Sequence, residues 1–185
     1  MERDQAILII VENELRGLTK EKREEMLLNW WSIDEEDSEF NRLSDGLQKE
    51  IVEESGPLYD PLNKKYDPLI LEGLKNKFIG VKNAYLSKRV SNIEDREIIV
   101  TGEEEKLFAC PCCRYRTIED RGHYEICPVC FWEDDGSDQA TVYSFPNHMT
   151  LEQGRFNFDK FGCVNDRLKN KLCKDSVDMY IYEVK

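Results

Sequence analysis

The chain has 185 residues, enough for one domain with a real core or for two small domains. Apolar residues make up 40% and charged residues 35%, and the aliphatic and aromatic side chains are too frequent for a disordered chain. The formal net charge of −12 opposes nonspecific binding to DNA or to an anionic membrane. It would suit a basic protein partner, although an acidic surface that keeps a protein soluble is the more common case.

The amino-terminal stretch "MERDQAILII" predicts a cytoplasmic protein, because it has no basic segment followed by a signal-peptide cleavage site. The longest apolar run, residues 6–11, is far shorter than the roughly eighteen residues that a membrane span needs. In a reducing cytoplasm, closely spaced pairs among the seven cysteines favour metal binding over disulfide bonds.

Residues 1–95 are predicted to form a mostly helical N-terminal domain. Residues 4–16 predict a buried helix, and Thr19 can cap a second helix. Helical spacing predicts that Leu27, Leu28 and Trp31 share one face of that second helix and enter the core.

The rest of this domain alternates acidic and basic segments. Positions 34–54 are strongly acidic, and Asp67 followed by Pro68 predicts the start of another helix. The basic stretch from Lys75 to Arg89 is a candidate nucleic-acid surface, but we favour a solvated face that pairs with the acidic helix before it.

Residues 96–185 are predicted to form a second, cysteine-rich domain. It should begin with a strand over 96–102, contain a helix opened by a capping box of Thr150 and Gln153, and end with a strand over 177–184. The predicted fold class is α+β, with a mostly helical half followed by a small zinc-ribbon-like domain that carries a C-terminal helix and strand.

Four cysteines have the spacing of a tetrahedral metal site. Cys110 and Cys113 form one C-P-x-C turn, and Cys127 and Cys130 form another after thirteen intervening residues. Each turn can direct two soft sulfur ligands at one ion, so the sequence predicts one structural Zn²⁺ per chain. An iron-sulfur cluster could use the same four thiols, although the paired turns favour zinc.

Cys112 is an extra thiol beside this site. It could replace Cys113 as a ligand, or it could be a reactive cysteine activated by nearby arginines. We favour a third interpretation, in which it is a small side chain that fills the turn. Arg114 stands where many zinc knuckles have glycine, which leaves the geometry of the first turn open.

The acidic turn from Glu133 to Asp138 follows the last cysteine pair directly. Together with Asp138, the Glu133, Asp134 and Asp135 carboxylates could bind a second, hard metal. They could also act as acid and base in a zinc-dependent enzyme, with Arg155 as an available counter-charge. Solvated carboxylates in a turn are the more common case, and no arrangement typical of nucleophilic catalysis is visible in the sequence.

The motifs "CPCCRYRT", "YEICPVCFWEDDG" and "LEQGRFNFDKFG" resemble those of the bacterial cysteine-rich CPCC family over about residues 107–162. The resemblance implies a small zinc-binding cytoplasmic module without a known catalytic reaction. Some members of the family lie near bacterial toxin genes, which implies an immunity or regulatory role.

Taken together, these features predict a zinc-binding cytoplasmic protein that acts by noncatalytic recognition of a basic protein. The alternatives are the zinc-dependent enzyme that uses the acidic turn and a nucleic-acid-binding zinc ribbon that uses the stretch from Lys75 to Arg89. The charge of the chain makes a nucleic-acid partner the less favoured one.

Overall fold

The computed structural model describes residues 1–184 and confirms a mixed α+β fold with a helical N-terminal half. No helix in this range is long and apolar enough to cross a membrane. The helices are α1 Arg3–Gly17, α2 Lys20–Trp30, α3 Asp45–Glu53, α4 Asp67–Asn76, α5 Asn83–Glu94, α6 Leu151–Phe161 and α7 Ser176–Met179. The strands are β1 Phe108–Ala109, β2 Arg116–Ile118, β3 Tyr143–Ser144 and β4 Met149–Thr150.

The chain divides into two compact units. The helical unit comprises Met1–Ile79 and Leu86–Thr101. The cysteine unit comprises Gly80–Tyr85 and Gly102–Lys185, and it is described as far as residue 184. Helix α5 therefore contributes its first residues to the cysteine unit and the others to the helical unit.

The core of the helical unit lies where α1 and α2 pack on α4. Ala6 and Ile10 of α1 and Leu69 and Leu74 of α4 are fully buried. A Cβ atom on Gly73 of α4 would lie 2.7 Å from the indole nitrogen of Trp30, so only glycine allows this close approach.

Helix α2 confirms the predicted cap but only part of the predicted apolar face. The Thr19 hydroxyl accepts a hydrogen bond from the Lys22 amide at 3.4 Å. Leu27 and Trp31 are buried, whereas Leu28 is 60% exposed, so its assignment to the core was wrong. Successive helical residues point about 100° apart, and the buried side of α2 is too narrow for both leucines.

The predicted strand over 96–102 does not form a ladder; its end makes one isolated bridge. Two serines of α5 bind the segment instead. The amide of Ile98 donates to the Ser91 hydroxyl at 2.8 Å, and the amide of Val100 donates to the Ser87 hydroxyl at 2.9 Å. For these two amides, side-chain acceptors on a helix thus replace the backbone partners of a sheet.

The cysteine unit contains two small antiparallel ladders, β1 with β2 and β3 with β4. Helix α6 follows β4 directly and has the predicted capping box, in which Thr150 and Gln153 each bind the other's backbone amide. Gly162 ends the helix with a left-handed φ of 77°.

The prediction of a strand over 177–184 is wrong for the first half of that segment, where residues 177–179 belong to the short helix α7. The second half runs beside the segment that enters β2. Tyr182 forms an antiparallel bridge with Tyr115, and the Arg116 amide donates to the carbonyl of Ile181 at 2.9 Å. The alternating apolar pattern therefore marks backbone pairing only near the end of the chain.

Candidate metal centre

The first cysteine turn lies between β1 and β2 and closes on its own backbone. The Cys110 amide donates to the Tyr115 carbonyl at 2.8 Å, and the Arg114 amide donates to the Cys110 carbonyl at 2.9 Å. Arg114 has a φ of 67°, in the left-handed region that glycine usually occupies. The turn therefore keeps the geometry of a zinc knuckle although arginine replaces glycine.

The second cysteine turn repeats this pattern. The Cys127 amide donates to the Trp132 carbonyl at 2.9 Å, and the Phe131 amide donates to the Cys127 carbonyl at 2.8 Å. Phe131 has a φ of 64°, and it follows Cys130 as Arg114 follows the last cysteine of the first turn. Two turns with the same spacing, the same hydrogen-bond pattern and similar φ values thus present two thiols each.

The two turns bring four thiols into one buried group. The sulfur atoms of Cys110, Cys113, Cys127 and Cys130 all lie within 4.8 Å of one another, and each residue is at most 2% exposed. The Sγ atoms of Cys110 and Cys130 are 3.6 Å apart, and so are those of Cys113 and Cys127. These distances are too long for disulfide bonds, whose sulfurs lie about 2.05 Å apart.

The group has the size of a four-sulfur shell around one ion. When sulfur lies about 2.3 Å from a tetrahedral ion, neighbouring sulfurs are about 3.8 Å apart. The two measured separations of 3.6 Å come close to this edge length. The four cysteines could therefore hold a metal ion, and their soft donor atoms suit zinc or iron better than magnesium or calcium.

The electrostatics of the group also favour a cation. Burial opposes the charge on Cys127, but hydrogen bonds from the neighbouring thiols and from Thr117 outweigh it and lower the pKa of this thiol. The Thr117 hydroxyl lies 3.1 Å from the Cys127 sulfur. Burial and hydrogen bonds with the other thiols raise the pKa of Cys130. Four buried thiolates can therefore coexist only around a positive ion.

Cys112 lies outside this group and is packed beneath α6. It is 4% exposed, and a Cβ atom on Gly154 would lie 3.5 Å from its sulfur. The same Cβ atom would lie 2.7 Å from the Trp132 ring, so glycine brings the helix close to both cysteine turns. The Arg155 side chain fixes α6 further by donating to the Pro111 carbonyl at 3.0 Å. This packing agrees with the interpretation of Cys112 as a small filler.

The acidic turn is built around a buried carboxylate. Asp134 is fully buried and accepts hydrogen bonds from Arg121 at 2.8 Å and from the Gly122 amide at 2.9 Å. Arg121 also contacts Asp138 at 2.8 Å. The counter-charge is therefore Arg121, which the sequence analysis missed, while Arg155 contacts the first cysteine turn.

Cys163, Cys173 and the two histidines do not belong to the group of four cysteines. Cys163 is buried and its thiol lies 3.1 Å from the Asn165 carbonyl, whereas Cys173 is exposed. The two histidines, His123 and His148, are also exposed and belong to no metal-binding group among residues 1–184.

Two cations of the basic stretch pair with acids, but these acids lie outside the acidic positions 34–54 that we expected. Lys75 lies 2.7 Å from Glu72, and Arg89 lies 2.9 Å from Glu14. These ion pairs leave less positive charge for a nucleic acid.

Part of the chain matches a known protein family. Residues 108–178 match the family model described as cysteine-rich CPCC. This CPCC segment begins in β1, contains both cysteine turns and ends in α7, while the first 107 residues lie outside the match. No curated protein and no solved structure matches the chain. The resemblance of the cysteine motifs to that family is therefore confirmed for the CPCC segment.

Proposed function

We propose that the four cysteines hold one structural Zn²⁺ in a zinc-ribbon-like site, and that the protein acts in the cytoplasm by noncatalytic recognition of a basic protein. The burial of all four sulfur atoms carries the first half of this proposal. A catalytic zinc keeps one coordination position for water or substrate, whereas a structural zinc is closed by four protein ligands.

The sulfur separations favour a single ion over an iron-sulfur cluster. A cluster places several iron and sulfide ions between its cysteine ligands and therefore separates them widely. Separations of 3.6 Å leave room for one ion only. Zinc is the metal that most often occupies such a site with paired C-x-x-C turns.

Noncatalytic recognition is supported by the charge of the chain. Four thiolates and one Zn²⁺ would change the net charge from −12 to about −14. The exposed acids Glu35 and Glu36 lie on the helical unit, and the half-buried acids Glu133 and Asp135 lie on the cysteine unit. A negative surface speeds encounter with a basic partner and repels acidic ones. The CPCC resemblance makes an immunity or regulatory protein the role to test first.

The enzymatic alternative has less support. The Asp134 carboxylate is hydrogen-bonded to Arg121 and fully buried, so it cannot exchange protons with a substrate at the surface. The three carboxylates therefore do not act as one exposed group. An activity that requires the metal and is abolished by Glu133→Gln would support the alternative.

A salt series on the native complex tests the recognition. Proteins that copurify with the chain are identified, and association and dissociation rates are then measured at increasing ionic strength. We expect the association rate to fall steeply while the dissociation rate changes little. A partner whose association is indifferent to salt, or a copurifying nucleic acid, would contradict the proposal.

Paired charge reversals then locate the contact on one of the two units. Glu35→Lys with Glu36→Lys tests the helical unit, and Glu133→Lys with Asp135→Lys tests the cysteine unit. Asp134 is left unchanged, since its reversal would disrupt the acidic turn. At least one pair should slow association; unchanged association in both would indicate that the acids serve solubility alone.

A further inference from the structure

The hairpin of β3 and β4 exposes large apolar side chains. Tyr143 is 49% exposed and Phe145 is 79% exposed, and their rings meet edge to face with centroids 5.4 Å apart. Val142, next to them in the chain, is 44% exposed. Single exposed apolar residues are common, but adjoining ones are typical of interaction sites.

An open groove lies between β4 of this hairpin and α6. It has a volume of about 680 Å³ and is lined by Met149 and Thr150 of β4, His148 before them, and the α6 residues Glu152, Gln153, Phe156 and Asn157. Phe156 is 65% exposed. The lining includes one carboxylate and no lysine or arginine.

Asn147 joins the acidic turn to this hairpin. The Glu133 amide donates to the Asn147 side chain at 2.9 Å, and that side chain donates back to the Glu133 carbonyl at 2.7 Å. The Asn147 amide also donates to Ser144 of β3 at 2.8 Å. The backbone of Glu133, at the start of the acidic turn, is therefore fixed to the hairpin.

Several carboxylates around this surface have no cationic partner among the described residues. Within residues 1–184, Glu133, Asp135 and Glu152 form no ion pair, whereas Asp134 and Asp138 share Arg121. The surface thus combines apolar side chains with unneutralised acids. We call it the hairpin face, and it consists of Val142, Tyr143, Phe145 and Phe156 with Glu133, Asp135 and Glu152.

We propose that the hairpin face is the docking site for a protein segment in which lysine or arginine flanks a large apolar side chain. The apolar side chain would enter the groove beside Phe156 and Met149, where desolvation contributes most of the binding energy. The flanking cations would face the unpaired carboxylates and the aromatic rings of Tyr143 and Phe145, to which they are attracted. This assignment rests on the proposed recognition of a basic partner.

The test selects random phage-displayed peptides on the immobilised, metal-loaded protein. We expect the selected peptides to contain lysine or arginine on both sides of a leucine, phenylalanine or tryptophan. One such peptide is then synthesised, and its dissociation constant is measured for the native chain and for variants whose metal content and spectra match the native protein.

Phe145→Ala and Glu152→Lys test the apolar and the charged part of the hairpin face. Because both side chains are exposed, these changes should leave the fold intact. Each should raise the dissociation constant at least about tenfold, as expected for a residue central to an interface. The matched controls are Tyr59→Ala, an aromatic residue 55% exposed on the helical unit, and Glu12→Lys, an exposed acid of α1. The controls should change binding less than about twofold.

Two outcomes would overturn the assignment in different ways. Basic, apolar peptides that bind native protein and Phe145→Ala equally would refute the hairpin face and leave recognition of a basic partner standing. A selection that yields no basic sequences, or no binder, would contradict the proposed function and the hairpin face together.

Discussion

Replacement of Cys127 by serine should unfold the cysteine unit and leave the helical unit folded. Cys127 is fully buried, and its amide is bonded to the Trp132 carbonyl at 2.9 Å. The four strands of this unit contain only two or three residues each. Apart from α6, the unit therefore has little regular structure that could persist without its metal.

The free energy of zinc binding is as large as the unfolding free energy of a whole domain. A structural zinc site contributes about 10–16 kcal/mol of binding free energy at pH 7, whereas a whole domain is stable by only about 5–15 kcal/mol. Serine is a poor zinc ligand at this pH, so the variant keeps three of four strong ligands. Even a loss of about half the binding free energy would exceed the stability of many small domains.

The three tryptophans report on the two units separately. Trp30 and Trp31 belong to the helical unit, while Trp132 is fully buried in the cysteine unit. In Cys127→Ser, the NMR indole signal of Trp132 should move to its unfolded position, whereas the other two signals should persist. Cys173→Ser, which changes an exposed thiol, is the control and should leave all three signals in place. An unmoved Trp132 signal in a metal-free Cys127→Ser sample would refute this reasoning.

Three further changes test other parts of the structure. Cys112→Ser should keep a full equivalent of zinc while Cys113→Ser should not; equal losses on elemental analysis would overturn the ligand assignment. Tyr66→Phe should lower the unfolding free energy by about 1–3 kcal/mol in urea titrations, because its hydroxyl donates to the buried Glu50 carboxylate at 2.6 Å. Although burial opposes its charge, hydrogen bonds from Lys65 and Tyr66 lower the pKa of Glu50. The charged Glu50 carboxylate therefore contributes its full stability above the unfolded pKa of about 4.3, and this contribution is lost as pH falls through the folded pKa. Native protein whose unfolding free energy does not decrease over this pH range would contradict this account. Gly154→Val should cost about 1–3 kcal/mol by overpacking α6 against the indole ring, and an unchanged melting temperature would argue against that contact.

The parts of the structure that depend on neighbouring residues were predictable from the sequence. The capping box of Thr150 and Gln153 and the helix start at Asp67 involve residues within one helical turn. The two cysteine turns were likewise recognisable, because each is a four-residue motif that repeats. The turns do not reveal by themselves that Arg114 takes a left-handed conformation.

Features that depend on distant partners were missed or wrongly predicted. The segment 96–102 has the composition of a strand, yet it binds serine hydroxyls of α5, and strand propensity carries no information about such partners. The pairing of Arg121 with Asp134 joins residues 13 positions apart, and several other cations were equally available in the sequence.

X-ray absorption at the metal edge of freshly purified protein tests the central claim most directly. The account predicts one zinc per chain, surrounded by four sulfur atoms at about 2.3 Å and no nitrogen or oxygen ligand. The four ligands are Cys110, Cys113, Cys127 and Cys130, whose sulfurs all lie within 4.8 Å of one another. Iron at the site, or a zinc shell with fewer than four sulfurs, would contradict the account.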